Sequence, residues 1–339
     1  TKNNNEFLSF NGEIYNYIDL KKNLEKEGVK FSTNSDQEVL YEYLNKYNFK
    51  DLEKINGIWA LAFYNQRKNQ LLLSRDLMGE RHLFYTVSNN ELIFSSEVKA
   101  ILSVLLKKSE FDFNSIISSW KFNSCQPGKT LIKDIYRLKA GYNLICSNNK
   151  IETIQFQKLH PEKWFDFFQK SPKEEDVAKK FETLLYNEAK IKVPKEVKYY
   201  TALSGGIDST LLVNNLSKID KNINTLFHIS SKTQVADDSK SNLFAEISLS
   251  KKLAKKFKTN HSFLHSKESE ILEELKSSAK DCFEGCSCFA SANYSLIARY
   301  LKSNNAKVFN LSEGPDELLG GYISDIEANK LDKLFSKNN

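Results

Sequence analysis

A glycine turn flanked by hydroxyl side chains follows an apolar run at Val197–Leu203. Residues Ser204–Ser209 read Ser-Gly-Gly-Ile-Asp-Ser. The two glycines let the backbone bend and bring N–H groups up to an anion, and a helix from about Ser209 would point its positive end at the same place. Asp208 suits such a loop if it holds a metal ion that bridges phosphates. The segment predicts a phosphate site; the alternative is a tight strand–helix turn with serine caps.

Three acidic residues, Glu313, Asp316 and Glu317, follow a second predicted strand at 306–312. Ligands of open α/β sheets bind at the carboxyl ends of strands, so this position favours a binding site. The alternative is the acidic first turn of a helix, where Asp and Glu are favoured in any case.

Together these two segments resemble the asparagine synthetases and their amidotransferase relatives. The first loop lacks the lysine of the Walker A pattern and is similar to the Ser-Gly-Gly-x-Asp-Ser loop of ATP pyrophosphatases. The second is similar to the family pattern Ser-Gly-(Asp/Glu)-Gly-x-Asp-Glu-(Leu/Val)-(Phe/Leu)-Gly-Gly-Tyr. Leu311 and Ser312 stand where Ser and Gly are usual, close to the nucleotide and the amidated substrate, so the identity of the substrate stays open.

The resemblance implies a parallel-sheet ATP pyrophosphatase domain of the adenine nucleotide α-hydrolase-like type over residues 172–339. It implies that ATP is bound by Leu203, Ser204, Gly205, Gly206, Asp208, Ser209, Ile229, Leu311 and Ser312. In that assignment the serines and glycines cradle the β,γ-phosphates, and the backbone at Leu203 and Ile229 meets adenine. Asp208 and Asp316 would hold Mg²⁺, and Glu313 would lie at the reacting carboxylate.

An Asn-Gly-Glu motif near the start of the chain belongs to the same resemblance. Alone, Asn11-Gly12 is typical of a hairpin turn. It is also similar to the glutaminase domain of the amidotransferases, an N-terminal-nucleophile αββα fold, expected here over residues 1–155. The resemblance implies that the Asn11 side chain and the Gly12 N–H form an oxyanion hole, and that Glu13 and Asp36 hold the α-amino group of glutamine. Asp36 also lies in a capping box that begins at Ser35.

Two further segments, Ser74–Tyr85 and Phe94–Ile101, are similar to that domain, and Pro127–Gly141 resembles the stretch that joins the family's two domains. The family's nucleophile is an N-terminal cysteine several dozen residues before the Asn-Gly-Glu motif, which here begins ten residues in. Thr1 could act as a nucleophile through a free α-amine, but it leads directly into the strand before Asn11. The family's glutamine-binding arginine and catalytic lysine are not visible either. We therefore expect a fragment, open at both ends, of a longer protein, and inactive by itself.

Predicted strands and helices alternate along the second half of the chain. Strands are predicted near 197–203, 224–230, 261–265 and 306–312, and helices near 209–217, 244–257, 267–280 and 292–304. Such alternation implies right-handed crossovers and a parallel sheet with both faces covered. A polar and aromatic stretch at 155–172 divides the chain into its two expected domains.

Composition argues against two classes of partner. The net charge of +6 is modest and its lysines are scattered, whereas nucleic-acid binding favours a concentrated basic patch. No apolar run reaches transmembrane length. Five cysteines with no paired spacing are typical of a reducing cytoplasm. Cys282, Cys286 and Cys288 match no usual zinc or cluster spacing and are interpreted as ordinary apolar residues.

The expected function is the ATP- and glutamine-dependent amidation of a carboxylate through an acyl-adenylate, which releases AMP and pyrophosphate. Aspartate is the expected acceptor, and ATP and Mg²⁺ are the expected cofactors. The sequence is compatible with a homodimer. Two alternatives stay open. The chain could act on another carboxylate or close a lactam, as Leu311 and Ser312 suggest, or it could be a catalytically incomplete relic.

Overall fold

The computed structural model describes residues 5–47, 49, 51–105, 109–148, 150–230, 240–283 and 288–319, without the side chains of 240–243, 288 and 289. The chain divides into two compact units. The first comprises Thr1–Pro172 and Ser278–Cys288, and the second comprises Lys173–Ser277 and Phe289–Asn339. No helix among the described residues has the length and apolar character needed to cross a membrane.

The first unit contains eight strands and five helices within its described residues. They are β1 (Glu6–Ile14), α1 (Tyr17–Lys26), α2 (Asp36–Tyr47), β2 (Gly57–Asn65), β3 (Gln70–Arg75), β4 (Phe84–Ser88), β5 (Glu91–Ser95), α3 (Val98–Val104), α4 (Phe113–Phe122), β6 (Tyr136–Arg137), β7 (Tyr142–Ser147), β8 (Lys150–Gln155) and α5 (Phe165–Gln169). One sheet has the order β1-β2-β3-β7-β8 and the other the order β5-β4-β6, and every pairing is antiparallel.

Four layers build this unit. Leu24 of α1 and Leu44 of α2 pack with Leu61 and Leu72 of the large sheet. On the other face of that sheet, Leu73 and its neighbours pack against side chains of the small sheet. The small sheet buries its own far face against α3, where Ile101 is fully buried. This αββα sandwich confirms the predicted architecture of the first domain.

The second unit contains four strands and six helices within its described residues. They are α6 (Glu174–Lys192), β9 (Tyr199–Ala202), α7 (Ile207–Ile219), β10 (Asn224–Ile229), α8 (Lys240–Phe257), β11 (Asn260–His265), α9 (Glu268–Ala279), α10 (Cys288–Ser303), β12 (Val308–Asn310) and α11 (Pro315–Leu319). All strand pairs are parallel, in the order β11-β10-β9-β12.

Both faces of the parallel sheet are covered. Tyr199 of β9 packs with Leu216 of α7 on one face, whereas the next residue, Tyr200, packs with Ile297 of α10 on the other. Each predicted strand and helix of this half overlaps an observed one, so the alternation read from the sequence is confirmed. The predicted domain bounds, 1–155 and 172–339, differ from the compact units, because residues 156–172 and Ser278–Cys288 lie with the first unit.

Candidate functional site

The strand order of the second unit reverses beside β9. The chain passes from β9 to β10 and β11 on one side, and β12 returns to pair with the other side of β9. In an open α/β sheet, ligands bind outside the carboxyl ends of the strands at such a reversal. Ser204–Ser209 follows β9 and Leu311–Asp316 follows β12, so the two predicted binding segments leave neighbouring strands at the same edge.

The loop after β9 has the geometry of an anion site. Gly205 has a φ of 97°, which glycine adopts without steric cost. Gly206 is the N-cap of α7, and the first helical hydrogen bond runs from the Thr210 N–H to the Gly206 carbonyl at 3.1 Å. The amides of residues 207–209 therefore have no intrahelical acceptor, and they lie at the positive end of a 13-residue helix.

Hydroxyl groups hold this loop in shape. Ser204 Oγ lies 3.2 Å from Ser209 Oγ, and the Gly206 amide donates to Ser204 Oγ at 3.4 Å. Thr210 Oγ1 donates to the Gly206 carbonyl at 2.7 Å. These contacts fix Ser204 and Ser209 on the same side of the turn, so the structure brings the predicted phosphate-binding hydroxyls together.

A cavity of about 280 Å³ lies next to this loop, between the carboxyl ends of the strands and α10. It is lined by Ala202, Ser204, Leu226, Phe227, His228, Ala290, Asn293, Tyr294, Ile297, Phe309 and Leu311. Ser204 and Leu311 were predicted at this site. Leu203 and Ile229 do not line the cavity: Leu203 is fully buried against Val213 of α7, and Ile229 is also buried.

His228 is a cavity residue that the sequence reasoning missed. Its Nε2 atom lies 2.7 Å from Ser266 Oγ, and it lines the cavity together with Asn293 and Ile297 of α10. Burial lowers the pKa of His228, and the neighbouring His265 lowers it further. The alternation of faces along β10 could have identified it, because Leu226 and His228 share one face and Ile229 has the other.

The predicted acidic site residues lie at the starts of two helices. Asp208 is in the first turn of α7, and Asp316 is in the first turn of α11, a five-residue helix. Glu313 precedes α11, and burial raises the pKa of its carboxyl, with a further contribution from Glu317. Among the residues that the structure describes, no cluster of three or more His, Cys, Asp or Glu side chains forms a protein-only metal site. Mg²⁺ commonly uses one or two carboxylates together with substrate phosphates, and the donors present fit that mode.

In the first unit, Asn11 and Gly12 lie within strand β1 and not in a hairpin turn. Asn11 pairs with Ala60 and Gly12 with Trp59 of β2. A Cβ atom on Gly12 would lie 2.0 Å from the Ile58 carbonyl oxygen, so only glycine fits. The hairpin interpretation of Asn11-Gly12 is wrong, because β1 continues in register for two further pairs.

Glu13 and Asp36 come together at the end of β1. Asp36 Oδ2 accepts a hydrogen bond from the Ile14 amide at 3.0 Å, which ties the start of α2 to the strand. The predicted capping box is half formed. The Glu38 amide donates to Ser35 Oγ at 3.2 Å, but the Glu38 carboxylate accepts from the Ser32 and Thr33 amides, at 2.8 and 2.6 Å, instead of from Ser35.

Charged groups converge on Glu13. Burial raises the pKa of its carboxyl, Asp36 raises it further, and Arg81 lowers it. Arg81 was not predicted as a site residue, although it lies just after Ser74–Gly79, a segment similar to the family's glutaminase domain, and that position could have pointed to it. That loop is shaped by Asp76, whose Oδ1 accepts from the Met78 amide at 3.0 Å, and by Arg75, which donates to the Leu138 carbonyl at 2.8 Å.

Other predicted features lie partly outside the described residues. Thr1, Cys286 and the residues after Leu319 are not described, and neither is the side chain of Cys288. The interpretation of Cys282, Cys286 and Cys288 as ordinary apolar residues therefore stays a prediction.

Comparison with known proteins gives matches over both units. The family model "Glutamine amidotransferase domain" matches residues 1–157, and the model "Asparagine synthase" matches residues 180–337. A putative asparagine synthetase [glutamine-hydrolyzing] 2 of Methanocaldococcus jannaschii is 28% identical over 330 residues, which is 96% of this chain and 60% of that protein. Asparagine synthetase [glutamine-hydrolyzing] 1 of Bacillus subtilis is 26% identical over 93% of this chain and 48% of its own length.

A relative with a different name is also similar. Amidase chry2 of Gibberella zeae is 29% identical over 215 residues, which is 62% of this chain and 31% of that protein. The chain thus spans 60% or less of the length of these three relatives.

Proposed function

Because the chain belongs to the asparagine synthetase family, with a glutamine amidotransferase domain before an asparagine synthase domain, we propose that it amidates a carboxylate at the expense of ATP and glutamine. The observation that carries the proposal is the loop Ser204–Ser209, which presents free helix amides and two hydroxyls at the reversal of strand order. That arrangement is suited to the phosphates of a nucleotide.

The chemistry in the second unit has two steps. An oxygen of the acceptor carboxylate attacks the α-phosphorus of ATP, the bond to the β-phosphate oxygen breaks, and pyrophosphate leaves. Ammonia then attacks the acyl carbon, AMP leaves, and a proton is lost to give the amide. In this proposal the amides of residues 207–209, Ser204 and Ser209 hold the phosphates that depart, and Glu313 lies beside the reacting carboxylate. Mg²⁺, held by Asp208 and Asp316 together with the phosphates, would neutralise the charge of pyrophosphate.

In the first unit the proposed reaction is the hydrolysis of glutamine: a nucleophile attacks the side-chain carbonyl, ammonia leaves, and water then releases glutamate. The family resemblance implies that an N-terminal cysteine of the longer protein is this nucleophile. Asn11 and the Gly12 amide supply the two donors of an oxyanion hole, and Glu13 and Asp36 hold the α-amino group. Support comes from the contact between Asp36 and the end of β1, which brings both carboxylates to one place. Arg81 would balance their charge there.

Aspartate is the proposed acceptor, with asparagine as the product. A second candidate is another carboxylate, and one observation favours it: Leu311, at a position where the family pattern has a serine, lines the cavity. A bulkier apolar side chain at that edge changes the shape of the pocket. The similarity to amidase chry2 is consistent with a different acceptor.

The decisive measurement is binding of Mg-ATP to residues 1–339 by calorimetry, followed by exchange of labelled pyrophosphate into ATP by the full-length protein in the presence of a panel of carboxylates. We expect Asp208→Asn to weaken Mg-ATP binding at least tenfold, because it removes a carboxylate from a metal–polyphosphate complex. Asp176→Asn is the matched control, since Asp176 is an exposed acid on α6. Equal binding by wild type and Asp208→Asn would refute the metal assignment.

The same panel separates the two acceptor candidates. Exchange that depends on aspartate supports asparagine synthesis. Exchange with another acid and none with aspartate would replace aspartate as the acceptor and leave the nucleotide site intact. A chain that binds no Mg-ATP would overturn the proposed function as a whole.

A further inference from the structure

The carboxylate of Asp76 completes the pairing of β2 at the point where β3 has ended. The last residue of β3 is Arg75. In the next pair the Asp76 amide donates to the Trp59 carbonyl at 3.1 Å, but the Trp59 amide donates to Asp76 Oδ2, also at 3.1 Å, and not to the Asp76 carbonyl. That carbonyl instead accepts from the amides of Gly79 and Gly141, at 3.1 and 2.8 Å. The side chain thus keeps Trp59 in the ladder while the backbone turns away.

The same carboxylate is buried and also organises the loop that follows it. Asp76 is 2% exposed. Its Oδ1 accepts from the Met78 and Glu80 amides, at 3.0 and 3.2 Å, and its Oδ2 accepts from the Arg81 amide at 3.4 Å. A buried charge is tolerated only when it is hydrogen-bonded, and backbone amides supply those bonds here. One side chain therefore joins β2 to the loop that carries Arg81, which acts on Glu13.

The hydrogen bonds of Trp59 determine where the Gly12 amide points. In a central antiparallel strand, the amide and the carbonyl of one residue point to the same side, and both groups of Trp59 point to Asp76. Gly12 pairs with Trp59 from the opposite side, so this pair is of the non-hydrogen-bonded type and the Gly12 amide points away from β2. Ile14, two residues further along β1, follows the same alternation, since its amide donates to Asp36 Oδ2 at 3.0 Å.

The backbones of β1 and β2 are in direct contact at this pair. A Cβ atom added at Gly12 would lie 2.8 Å from the Trp59 Cα. A shift of Trp59 therefore moves the Gly12 amide with it. Donors of an oxyanion hole act at about 2.7–3.1 Å from the reacting oxygen, and a misplacement of about 1 Å can cost about a hundredfold in rate. Asp76, which holds Trp59, is thus placed to influence that distance.

We propose that Asp76 is a positioning residue for the hydrolysis of glutamine: through Trp59, it sets the place of the Gly12 amide in the oxyanion hole. This inference rests on the proposed function, because it assumes that Asn11 and Gly12 stabilise the tetrahedral intermediate. Asp76 touches neither the substrate nor the nucleophile. Its effect falls on the transition state, where the oxygen anion develops, and much less on the binding of glutamine in its ground state.

The first test measures glutamine hydrolysis by the full-length protein, because the proposed reaction needs the N-terminal cysteine of the longer chain. Asp76→Ala removes both acceptor oxygens, and we expect kcat to fall at least tenfold while KM for glutamine changes less than about threefold. Asp76→Asn keeps one acceptor oxygen and should recover part of that loss. It also serves as the second variant if Asp76→Ala folds poorly.

Two inhibitors distinguish positioning from a general loss of structure. Glutamate γ-semialdehyde forms a thiohemiacetal with the cysteine, and the oxygen of that adduct occupies the oxyanion hole, whereas glutamate binds without such an adduct. We expect the Asp76 variants to weaken inhibition by the semialdehyde by about the same factor as kcat, and inhibition by glutamate less than about threefold. Cyclisation of the semialdehyde in solution is the same for every variant and cancels in the comparison.

Ser74→Ala is the matched control, since it removes a different buried contact of the same tryptophan. Ser74 is fully buried, and its Oγ accepts from Trp59 Nε1 at 3.0 Å, so the variant loosens the indole but leaves the backbone pairing with Asp76 in place. It should leave the ratio of the two inhibition constants unchanged. A further measurement needs no substitution: in residues 1–339, hydrogen exchange resolved by residue should show the Gly12 amide at least tenfold less protected than the amides of Asn11 and Trp59.

The outcomes separate this inference from the proposed function. Equal weakening of both inhibitors by the Asp76 variants, or an unchanged kcat, would overturn the positioning role and leave glutamine hydrolysis in place. The same change of ratio in Ser74→Ala would also refute it, and so would a Gly12 amide as protected as that of Asn11. If the unaltered full-length protein releases no glutamate from glutamine, the proposed reaction of the first unit fails, and this inference fails with it.

Discussion

Replacing Gly12 by alanine tests how tightly β1 and β2 are joined at the proposed oxyanion site. The added Cβ would lie 2.0 Å from the Ile58 carbonyl oxygen and 2.8 Å from the Trp59 Cα. Side-chain Cβ contacts below 3.0 Å are essentially never adopted, so the strands must separate locally by about 1 Å. Both obstacles are backbone atoms, and no side-chain rotation can relieve them.

The cost follows from what the separation disturbs. Gly12 pairs with Trp59 in a ladder of nine residue pairs, and a shift of this size weakens the interstrand hydrogen bonds on either side, each with a net value of about 1 kcal/mol. Overpacking adds about 1–3 kcal/mol. Alanine regains about 0.5–1 kcal/mol, because glycine is disfavoured in strands. We expect Gly12→Ala to lower the free energy of unfolding of the first unit by about 3 kcal/mol.

Trp59 is a built-in reporter for this experiment. It is 1% exposed, whereas Trp120 and Trp164 are 84% and 37% exposed. With these two changed to phenylalanine, tryptophan fluorescence during urea unfolding reports on the β1–β2 region alone. Gly28→Ala is the control, since Gly28 has a φ of 85° with nothing within 4 Å of an added Cβ, and it should cost about 1–2 kcal/mol. A Gly12→Ala midpoint no lower than that of Gly28→Ala would refute the close-approach argument.

Two further predictions concern the second unit. Glu274→Ala should lower the free energy of unfolding by about 2 kcal/mol in urea, because it leaves the part-buried Ser295 hydroxyl without its acceptor; Glu273→Ala, on the same helix, should change it little. Acidification from pH 7 to pH 5 should lower the free energy of unfolding of the unaltered chain more than it lowers that of the variant His228→Gln. Burial and then His265 lower the pKa of His228, so the unfolded chain binds the proton first; equal loss of stability in both proteins would contradict this.

The parallel sheet of the second unit could be predicted because each of its signals is local. Apolar runs such as 224–230 bounded by polar turns mark strands, and longer amphipathic segments between them mark helices. Alternation of the two then allows only parallel pairing with right-handed crossovers. The order of the strands, β11-β10-β9-β12, is a property of tertiary packing, so it could not be read from the pattern.

The features of the two sites that the sequence did not predict depend on which face of a strand a side chain occupies and on which groups it contacts in the folded chain. His228 was not predicted at the cavity, because only the backbone of the neighbouring Ile229 had been considered there and one step along a strand reverses the face. The contact between that backbone and adenine stays a prediction. The second half of the capping box at Ser35 is replaced, because the Glu38 carboxylate finds two closer amides in the preceding turn. Arg81 was missed since its role depends on a loop folded by Asp76.

The reversal of strand order explains how two motifs about a hundred residues apart, Ser204–Ser209 and Leu311–Asp316, come to lie beside each other. Had β12 added beyond β11, two strands would separate the carboxyl end of β9 from Leu311, and the phosphate loop would have no acidic segment beside it. Because β12 pairs with β9 in register, Asn310 with Thr201, the chain leaves both strands at the same level. In the proposed function, a nucleotide whose β,γ-phosphates lie on the loop would turn its α-phosphate toward the segment after β12, which contains Glu313. If the acceptor meets the α-phosphate there, as we propose, the residues that select it include those after β12, where this chain departs from the family pattern at Leu311 and Ser312.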